Sequence, residues 1–549
     1  MTGYNCKYAP VEILAGFGEN CRLINNEAEN FDYSISRLHQ NMCTHAKAML
    51  EDIHSGNYKE LLFVNCCDSS RRVADCVSGE DINFSYTLDV PSCNTECAVV
   101  RLKNELISFI KAYQKYSGKE FDINLFLSSF KDKQSLPNGK FIAVLGARSS
   151  KTLLDVAEKC FNDIQIADFT CAQNRFVPKP DAAPDDSIDS IVLQYAKSLL
   201  SQTPCMRMWD IRAREALFEN ENCVGIIYHA IKFCDYYDFE YSKLHNVKIP
   251  IIRIETDFTQ QSYGQLLTRL EGFRETINVA EKTDKKKSRA IMNGKYFVGI
   301  DSGSTSTELV AMDKDLNIVK SVMVRTGANA GIGAENALNK AGIEKKDIAC
   351  VVATGYGRKN IDFADEDVTE ITCHAKGAKF LHTGVSTVID IGGQDSKVIR
   401  LDKNGRVTGF VMNDKCAAGT GRFLENMSKV LELSMSDMAQ IGLYYKKDLT
   451  ISSMCTVFAE SEVVSLIAEN HSVADIVHGL NKSVAAKTKA LAGGIKDLGA
   501  VMMTGGVANN RGVVSELEKQ LCTKIFIPEQ PEFCGALGAA LIAAEQQAD

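Results

Sequence analysis

The sequence predicts an α/β protein with parallel-sheet, Rossmann-like subdomains in its N-terminal half and a duplicated α/β fold in its C-terminal half. In the first half, apolar runs such as KFIAVLG, NCVGIIYH and VKIPIIRIE alternate with helical patterns. This alternation is typical of buried strands that are joined by helical crossovers. In the second half, one strand–turn–strand pattern occurs twice.

A charged segment separates the two halves. EKTDKKKSRAIMNGK (281–295) has no apolar period and lies between the helical pattern YGQLLTRLEGFRETI and the strand YFVGI. We interpret it as a linker, and we divide the chain into a first domain at 1–282, a linker at 283–294 and a second domain at 295–549.

Composition and charge exclude several classes of partner. The 549 residues are 45% hydrophobic and 24% charged, as in ordinary globular proteins. The net charge of −8 argues against nucleic acid or an anionic membrane held by general electrostatics. No apolar run reaches the roughly 18 residues of a membrane span, and the N-terminus lacks the pattern of a signal peptide. We expect a cytoplasmic protein with neither nucleic-acid nor membrane partners.

The chain has 19 cysteines. Disulfides are rare in a reducing compartment, so this number indicates metal sites, clusters or catalysis. The strand KELLFVNC ends on the pair Cys66 and Cys67, and Cys234 follows the strand VGIIYH. Because sites in open α/β sheets form beyond the carboxyl ends of strands, we expect these thiols at one edge.

The repeat of the second half joins residues 298–319 to residues 388–407. A constant offset places Asp301 of VGIDSGSTSTELV on Asp390 of VIDIGGQDSKVIR. Each copy is a strand ending in Asp, a tight turn of small residues, a second strand, a DK turn and a third strand. We predict two related lobes that face one cleft.

The small residues of these turns predict a nucleotide site. Such turns let backbone N–H groups approach phosphate oxygens, and the aspartates would hold Mg²⁺, mostly through water. A structural turn explains DSGSTST alone nearly as well, but a third glycine turn follows in AVMMTGGVANN. No P-loop motif is present. The catalytic candidates are Asp301, Asp390 and Gln394, and the nucleotide-binding candidates are Ser302, Gly303, Ser304, Thr305, Gly392, Gly393, Gly419, Thr420, Gly421, Thr504, Gly505 and Gly506.

The order of the three glycine turns resembles the acetate and sugar kinase, heat-shock chaperone and actin superfamily. This resemblance implies a ribonuclease H-like fold in each lobe. It also implies that residues 301–305 form the first phosphate loop, that residues 390–394 form the second, and that residues 504–506 lie by the adenosine.

Cys416 and Cys455 each open a helical pattern, in NDKCAAGTGRFLE and MCTVFAESEV. A helix N-terminus favours a thiolate and an anionic cluster. Iron–sulfur clusters usually bind four thiolates, and a two-fold dimer supplies four where one subunit supplies two. We predict one 4Fe–4S cluster on the axis of a homodimer; the alternative is two buried cysteines at helix starts.

Residues 296–549 resemble the activators of 2-hydroxyacyl-CoA dehydratases and the ATPase subunits of benzoyl-CoA reductase. The matching stretches are VGIDSGSTSTE, ATGYGR, DIGGQDSK, NDKCAAGTGRFLE, MCTVFAESEV, TGGVANN and PEFCGALGAA. The resemblance implies ATP and Mg²⁺, an intersubunit 4Fe–4S cluster on Cys416 and Cys455, and a nucleotide-dependent angle between the helices that carry it. Members of that family often have Lys where Glu308 stands here.

Residues 8–280 resemble the D-type subunit of 2-hydroxyacyl-CoA dehydratases. The matching stretches are YAPVEILAGFGEN, NMCTHAKAML, VNCCDSSRR, KFCDYYDFEY and IETDFTQQSYGQLLTRLEGFRE. The resemblance implies an iron–sulfur cluster held by Cys43, by one of Cys66 and Cys67, and by Cys234.

Two further thiols, Cys171 in DFTCAQNRF and Cys205 in TPCMRMWD, bring the candidates to six. Six thiols suit two cubanes with a bridging sulfide, as in the double-cubane cluster proteins that are related to the dehydratases; a single 4Fe–4S cluster is the alternative. CNTEC could suggest zinc, but no second ligand pair stands near it. Three arginines could offset cluster charge, bind an anionic substrate or lie in solvent: Arg71, Arg72 and Arg175. The other cysteines of this half are interpreted as structural: Cys6, Cys21, Cys76, Cys93, Cys97, Cys160 and Cys223.

Together these features predict ATP-driven transfer of low-potential electrons. The C-terminal dimer would take an electron from ferredoxin or flavodoxin and pass it to the N-terminal cluster, for reduction of a small substrate. The alternatives are a 2-hydroxyacyl-CoA dehydratase or benzoyl-CoA reductase-type enzyme, a small-molecule kinase, and a nucleotide-gated sensor.

Overall fold

The computed structural model describes residues 1–77, 81–131, 137, 139–183, 186–244, 247–259, 263–278, 294–413, 417–451, 456–493 and 498–546. The chain divides into two compact units, Met1–Leu270 (unit 1) and Glu271–Asp549 (unit 2). Of the predicted linker at 283–294, all but Gly294 lies outside the described residues. No helix within the described ranges is long and apolar enough to cross a membrane.

Unit 1 is an α/β unit. Its strands are β1 (Thr2–Tyr4), β2 (Cys21–Leu23), β3 (Glu60–Val64), β4 (Phe84–Leu88), β5 (Phe141–Gly146), β6 (Gln165–Asp168), β7 (Cys223–Ile231) and β8 (Ile251–Thr256). Its helices are α1 (Val11–Ala15), α2 (Asp32–Ile35), α3 (Thr44–His54), α4 (Asp68–Cys76), α5 (Glu96–Ser117), α6 (Ile123–Ser128), α7 (Lys151–Cys160), α8 (Ile188–Leu200), α9 (Arg212–Glu215), α10 (Asp235–Ser242) and α11 (Tyr263–Asn278), whose last residues fall in unit 2.

The strands of unit 1 form two parallel sheets, with the orders β2-β1-β3-β4 and β6-β5-β7-β8. In each sheet the chain first adds a strand on one side and then continues on the other. The switch points therefore lie between β1 and β3 and between β5 and β7. The prediction of parallel-sheet subdomains in the N-terminal half is confirmed.

Helix α5 shows why these segments fold as they do. The Thr95 side chain caps its N-terminus by accepting a hydrogen bond from the backbone N–H of Ala98, and Gly118 ends it in a left-handed conformation. Its residues Leu102, Leu106, Phe109 and Tyr113 recur at helical spacing and are all fully buried. This apolar stripe packs in the core that includes β3 and α8.

Unit 2 contains two more sheets. Its strands are β9 (Tyr296–Ser302), β10 (Ser306–Met312), β11 (Ile318–Arg325), β12 (Ile348–Thr354), β13 (Glu366–Asp367), β14 (Thr387–Ile391), β15 (Ser396–Leu401), β16 (Val407–Asn413), β17 (Val501–Thr504) and β18 (Ile525–Phe526). Its helices, after the end of α11, are α12 (Ala330–Ala341), α13 (Glu370–Leu381), α14 (Gly421–Val430), α15 (Met435–Ile441), α16 (Thr456–Ala468), α17 (Val473–Ala492), α18 (Arg511–Leu521) and α19 (Cys534–Glu545).

The two sheets of unit 2 have the same order, β11-β10-β9-β12-β13 and β16-β15-β14-β17-β18. In the first sheet, β10 runs antiparallel to β9 and β12 runs parallel to it. In the second sheet, β15 and β17 have the same relations to β14. This is the duplicated, ribonuclease H-like fold of the actin and sugar kinase superfamily, as predicted. The repeat also extends to the fourth strand, because Thr354 pairs with Asp301 and Thr504 pairs with Asp390.

Helices α13 and α19 pack backbone against backbone. A Cβ atom on Gly377 would lie 2.2 Å from the carbonyl oxygen of Cys534, and one on Gly538 would lie 1.8 Å from that of Cys373. Only glycine permits this approach. The small residues of PEFCGALGAA thus allow α13 to pack closely on α19. The first turns of α13 then lie beside Asp301 of β9 and Asp390 of β14.

Candidate functional site

Two aspartates end equivalent strands of unit 2 and lie against equivalent glycines. Asp301 is at the end of β9, and Asp390 is on β14. Gly355 and Gly505 both have positive φ, 84° and 80°. A Cβ atom at these glycines would lie 2.5 Å from Oδ1 of Asp301 and 2.8 Å from Oδ1 of Asp390. The third glycine turn and its counterpart in ATGYGR thus hold the two carboxylates in place.

His374 on α13 connects the two aspartates. Its Nε2 lies 3.7 Å from Oδ2 of Asp301, and its Nδ1 lies 3.6 Å from Oδ1 of Asp390. Burial lowers the pKa of His374, so the imidazole is neutral near pH 7. The Thr504 hydroxyl donates to Oδ1 of Asp390 at 2.9 Å. The aspartates of the two lobes therefore meet at one place.

Lys397 is the positively charged residue that pairs with the buried carboxylates around Asp390. Its Nζ lies 2.9 Å from Oδ2 of Asp395, 3.2 Å from Oδ2 of Asp390 and 3.5 Å from Oε2 of Glu370. Burial opposes its charge, but Glu370, Asp395 and Asp390 outweigh burial and raise the pKa of Lys397. Burial likewise raises the pKa of Asp390, but the charge of Lys397 and the hydrogen bonds from Lys397 and Thr504 act against it, and the result is a lowered pKa. The negative charge of Asp390 in the second lobe is thus balanced by the ion pair with Lys397.

Among the described residues, the aspartate of the first lobe has no lysine or arginine within ion-pair distance, although the charge of Lys397 also acts on it. Asp301 pairs across the strands with Glu308, where Asp390 pairs with Lys397. Burial raises the pKa of Asp301 to about 8, and the charge of Glu308 adds to this. Burial also raises the pKa of Glu308 to about 7. Two buried carboxylates that face each other fit a divalent cation such as Mg²⁺, whose preferred ligands are oxygens.

The two predicted phosphate loops are tight turns of equal form. The N–H groups of Gly303 and Gly392 each donate to the carbonyl three residues later, at 2.9 and 3.0 Å. The loops approach each other, because a Cβ atom on Gly393 would lie 2.8 Å from Oγ1 of Thr305. The Ser302 side chain is buried. The exposed residues of the loops are Ser304, Thr305 and Gln394.

Helix α14 begins on the second phosphate loop. The N–H of Gly421 donates to the carbonyl of Gly392, and the N–H of Arg422 donates to that of Gly393, both at 2.9 Å. Thr420 is fully buried just before the helix. The predicted CAAGTG stretch is therefore tied to the loop through its backbone.

Cys416 and Cys455 both lie outside the described residues. Helix α14 begins five residues after the first, and α16 begins one residue after the second. Four apolar side chains of α16 are exposed: Val457 at 66%, Phe458 at 69%, Val464 at 54% and Ile467 at 43%. A helix that follows the second cysteine thus presents apolar surface, which is a common mark of a protein interface.

The predicted thiols of unit 1 lie after strands and at helix starts. Cys66 and Cys67 follow β3, Cys171 follows β6, and Cys234 follows β7. Cys43, Cys67 and Cys234 are the N-cap residues of α3, α4 and α10. Helix N-termini favour thiolates and anionic groups.

Interactions between the thiols show that they converge. Cys43, Cys171 and Cys234 pack against one buried core, and the interaction between Cys43 and Cys234 lowers the pKa of Cys43 and raises that of Cys234. The charge of Cys171 acts on both Cys234 and Cys205. Four thiols from widely separated segments therefore lie within electrostatic reach of one another.

The cysteine pair joins this group and adds a seventh thiol. Cys6, Cys66 and Cys205 pack in one core, and the charge of Cys67 acts on Cys43. Cys6 follows β1 and Cys66 follows β3, so this pair lies at the switch point of the first sheet, where ligands bind in open α/β sheets. Cys6, which the sequence analysis interprets as structural, is 4% exposed and lies in the core of unit 1.

These thiols fit an iron–sulfur cluster. In the part of the chain that the structure describes, no three side chains of metal-binding type lie close enough to hold a single ion. A cluster is wider than one ion, and its thiolates lie further apart. Thiols that follow separate strand ends, several of them at helix N-termini, are the ligand type that holds such clusters.

The three arginines do not gather at the thiols. Arg175 is buried and forms a two-pronged ion pair with Glu12, so its guanidinium holds α1. Arg71 and Arg72 are about half exposed and pair with Asp68 and Asp75. Each of the three arginines therefore has a carboxylate partner in the structure.

Known protein families match each half of the chain. The sequence profile of the BadF/BadG/BcrA/BcrD ATPase family matches residues 298–543, and the 2-hydroxyglutaryl-CoA dehydratase D-component profile matches 6–136 and 142–277. The 2-hydroxyisocaproyl-CoA dehydratase activator of Clostridioides difficile is 44% identical over 257 residues, which are 46% of this chain and 96% of the relative. The chain belongs to the BadF/BadG/BcrA/BcrD ATPase family. It joins this ATPase and a D-component-like region in one polypeptide.

Other relatives of this BadF/BadG/BcrA/BcrD-type ATPase carry related names. The activator of lactoyl-CoA dehydratase of Anaerotignum propionicum is 48% identical over 257 residues, or 46% of this chain and 98% of the relative. A benzoyl-CoA reductase component of Thauera aromatica is 30% identical over 213 residues, or 37% of this chain and 74% of the relative. The crystal structure of Acidaminococcus fermentans (R)-2-hydroxyglutaryl-CoA dehydratase component A is 43% identical and covers 47% of this chain and 100% of its own, with a TM-score of 0.45. Membership in an ATPase family implies ATP and Mg²⁺.

Two residues that the sequence analysis did not single out lie beside the predicted nucleotide-binding residues Asp301 and Asp390. Glu370 and His374 lie one turn apart on α13, and both are buried. Their signal in TEITCHAKGAKF is a pair of titratable residues on a face that is otherwise small and apolar. Such a pattern indicates buried polar groups without naming their partners.

Proposed function

We propose that this protein is an ATP-driven electron-transfer protein. Unit 2, as a homodimer with one 4Fe–4S cluster on Cys416 and Cys455 of each subunit, would reduce an iron–sulfur cluster in unit 1. Ferredoxin or flavodoxin would supply the electron, and a small molecule would be reduced at unit 1. The observation that carries the proposal is the convergence of seven thiols in a chain whose other unit is an activator-type ATPase.

In the proposed nucleotide site, the two phosphate loops hold the ATP phosphates through backbone N–H groups. Asp301 and Asp390 hold Mg²⁺, mostly through water, and Lys397 keeps Asp390 ionised for this role. Oε1 of Glu370 is buried without a hydrogen-bond partner among the described residues. We assign Glu370 and the exposed Gln394 to the position of the attacking water, which needs an acceptor.

The link from nucleotide to cluster is the backbone of the second phosphate loop. Its carbonyls at Gly392 and Gly393 accept hydrogen bonds from the first N–H groups of α14. A shift of this loop with the state of the γ-phosphate therefore moves α14 and the segment that carries Cys416. Iron–sulfur clusters change potential with their hydrogen bonds and exposure, which is the chemistry that this movement would use.

The exposed face of α16 supports the homodimer. Phe458 and its apolar neighbours directly follow Cys455, so an interface that buries them also brings the two copies of this cysteine together. A dimer closed in this way supplies the four thiolates that one subunit lacks.

One experiment tests the proposal. The full chain is purified without oxygen as wild type, as Cys416→Ser with Cys455→Ser, and as Cys522→Ser, an exposed cysteine of unit 2. We expect the double variant to lose about four irons per dimer, while the iron of unit 1 and the control variant are unchanged. We also expect Mg–ATP to alter the EPR signal of the shared cluster. A wild type without iron, or a double variant that keeps all of it, would refute the proposal.

The D-component profile supports a second candidate, a 2-hydroxyacyl-CoA dehydratase or benzoyl-CoA reductase-type enzyme. Turnover of a 2-hydroxyacyl-CoA or aryl-CoA by the reduced protein, with ATP present, would favour this candidate. Reduction of substrates without a CoA group would favour the broader electron-transfer role.

A further inference from the structure

Unit 1 contains buried hydrogen-bond donors that have no acceptor. Tyr8 is fully buried and Tyr237 is 4% exposed. The hydroxyl of each, and Nε of Arg207, lack a partner among the described residues. Buried donors are nearly always paired, and an unpaired one costs about 1–3 kcal/mol. Unit 1 has further unpaired atoms of this kind, among them Oγ1 of Thr44 and Nε of Arg148. What these three share is a position beside Cys171 or Cys205.

These donors surround the same thiols. Tyr8 packs in one core with Cys205, and Tyr237 packs in another with Cys171. The charge of Cys205 acts on both tyrosines. Arg207 acts on Cys205, while its two other nitrogens donate to backbone carbonyls at 2.8 and 2.9 Å. The unpaired donors thus lie at the edge of the proposed cluster site.

We propose that the hydroxyls of Tyr8 and Tyr237 donate hydrogen bonds to sulfur atoms of the iron–sulfur cluster beside Cys171 and Cys205, and so raise its reduction potential. The inference rests on the proposed function, because it needs a cluster in unit 1. A hydrogen bond to cluster sulfur stabilises the reduced, more negative state more than the oxidised state. The two phenols would make unit 1 the better electron acceptor.

The test compares three Tyr→Phe variants of the full chain, each in the Cys416→Ser, Cys455→Ser background, so that only the cluster of unit 1 gives a signal. Tyr8→Phe and Tyr237→Phe remove the proposed donors. Tyr58→Phe is the control, since Tyr58 is buried in the same unit and its hydroxyl donates to Asp52 at 2.8 Å. The charges that act on Tyr58 are those of Asp52 and Arg22.

We expect each of the first two variants to keep its iron and to need a lower potential for reduction. The ratio of reduced to oxidised cluster at a fixed potential should fall about tenfold, which is about 59 mV for one electron. The control should match its parent. Potentials equal to the control in both variants would overturn the inference and leave the proposed function intact.

A second measurement tests the inference on the parent protein alone, in case the Tyr→Phe variants lose their iron. Pulsed EPR of the parent protein in H₂O and in D₂O detects exchangeable protons that are coupled to the reduced cluster. We expect coupled phenol protons that disappear in D₂O; their absence from the parent would overturn the inference. A parent without iron in unit 1 would instead refute the proposed function, and the inference with it.

Discussion

Replacing Glu308 by Gln should stabilise nucleotide-free unit 2, and more at high pH than at low pH. Glu308 faces Asp301 across β9 and β10, and like charges directly opposite each other destabilise a strand pair. Burial raises the pKa of Glu308 from 4.5 to about 7, so the unfolded chain loses this proton at lower pH than the folded one. Stability that is present at pH 4 is therefore lost as the pH rises towards 8.

The size of the effect follows from this gap. One pKa unit is about 1.4 kcal/mol, so the ionised carboxylate costs the folded state about 1 kcal/mol at pH 5 and about 3 kcal/mol at pH 8. Gln keeps the shape of the side chain without the charge. We expect Glu308→Gln to recover these amounts, and also to lower the pKa of Asp301, because Glu308 is one cause of its rise.

Hydrogen exchange of the β9 and β10 amides in the chelated, nucleotide-free protein measures this stability. Amides of β5 and β7 in unit 1 provide the internal reference. Glu335→Gln is the control, since its side chain is 55% exposed and its change should stay within about 0.5 kcal/mol. With saturating Mg–ATP the advantage of Glu308→Gln should shrink. A difference between wild type and variant that is the same at pH 5 and pH 8 would refute the reasoning.

Two further predictions concern the same site. Gly535→Ala places a Cβ atom 2.0 Å from Oδ2 of Asp301 and should abolish ATP hydrolysis. Gly538→Ala places a Cβ atom 1.8 Å from the carbonyl oxygen of Cys373. It should lower the melting temperature without a selective loss of nucleotide affinity. Equal nucleotide affinity in the two variants would contradict this. Lys397→Met leaves buried carboxylates without their cation and should cost about 3–5 kcal/mol in hydrogen exchange of β14 and β15 at pH 8, and less at pH 5, where the carboxylates protonate. A variant as stable as wild type at pH 8 would contradict the assigned ion pairs.

The repeat made the fold of unit 2 predictable. Asp301 and Asp390 lie at the same point of a local pattern, and such a pattern fixes strand, turn and register within a few residues. The position of His374 was not predictable in this way. It depends on how closely α13 and α19 approach, which glycine contacts decide across a long stretch of chain. The position of Cys6 beside Cys66 was not predictable for a similar reason, because the two cysteines follow different strands of the sheet.

The duplication also explains why one lobe needs a cation from outside. Equivalent positions hold Lys397 in the second lobe and Glu308 in the first, so the protein neutralises Asp390 itself and leaves Asp301 beside another acid. Bound Mg²⁺ would offset the charge that burial and Glu308 make costly. The free energy of Mg²⁺ binding would then be largest at the first lobe. The backbone carbonyls that contact α14, those of Gly392 and Gly393, belong to the second lobe. A nucleotide that bridges the lobes would therefore draw the second phosphate loop towards the first, and the helix that follows Cys416 would move with it.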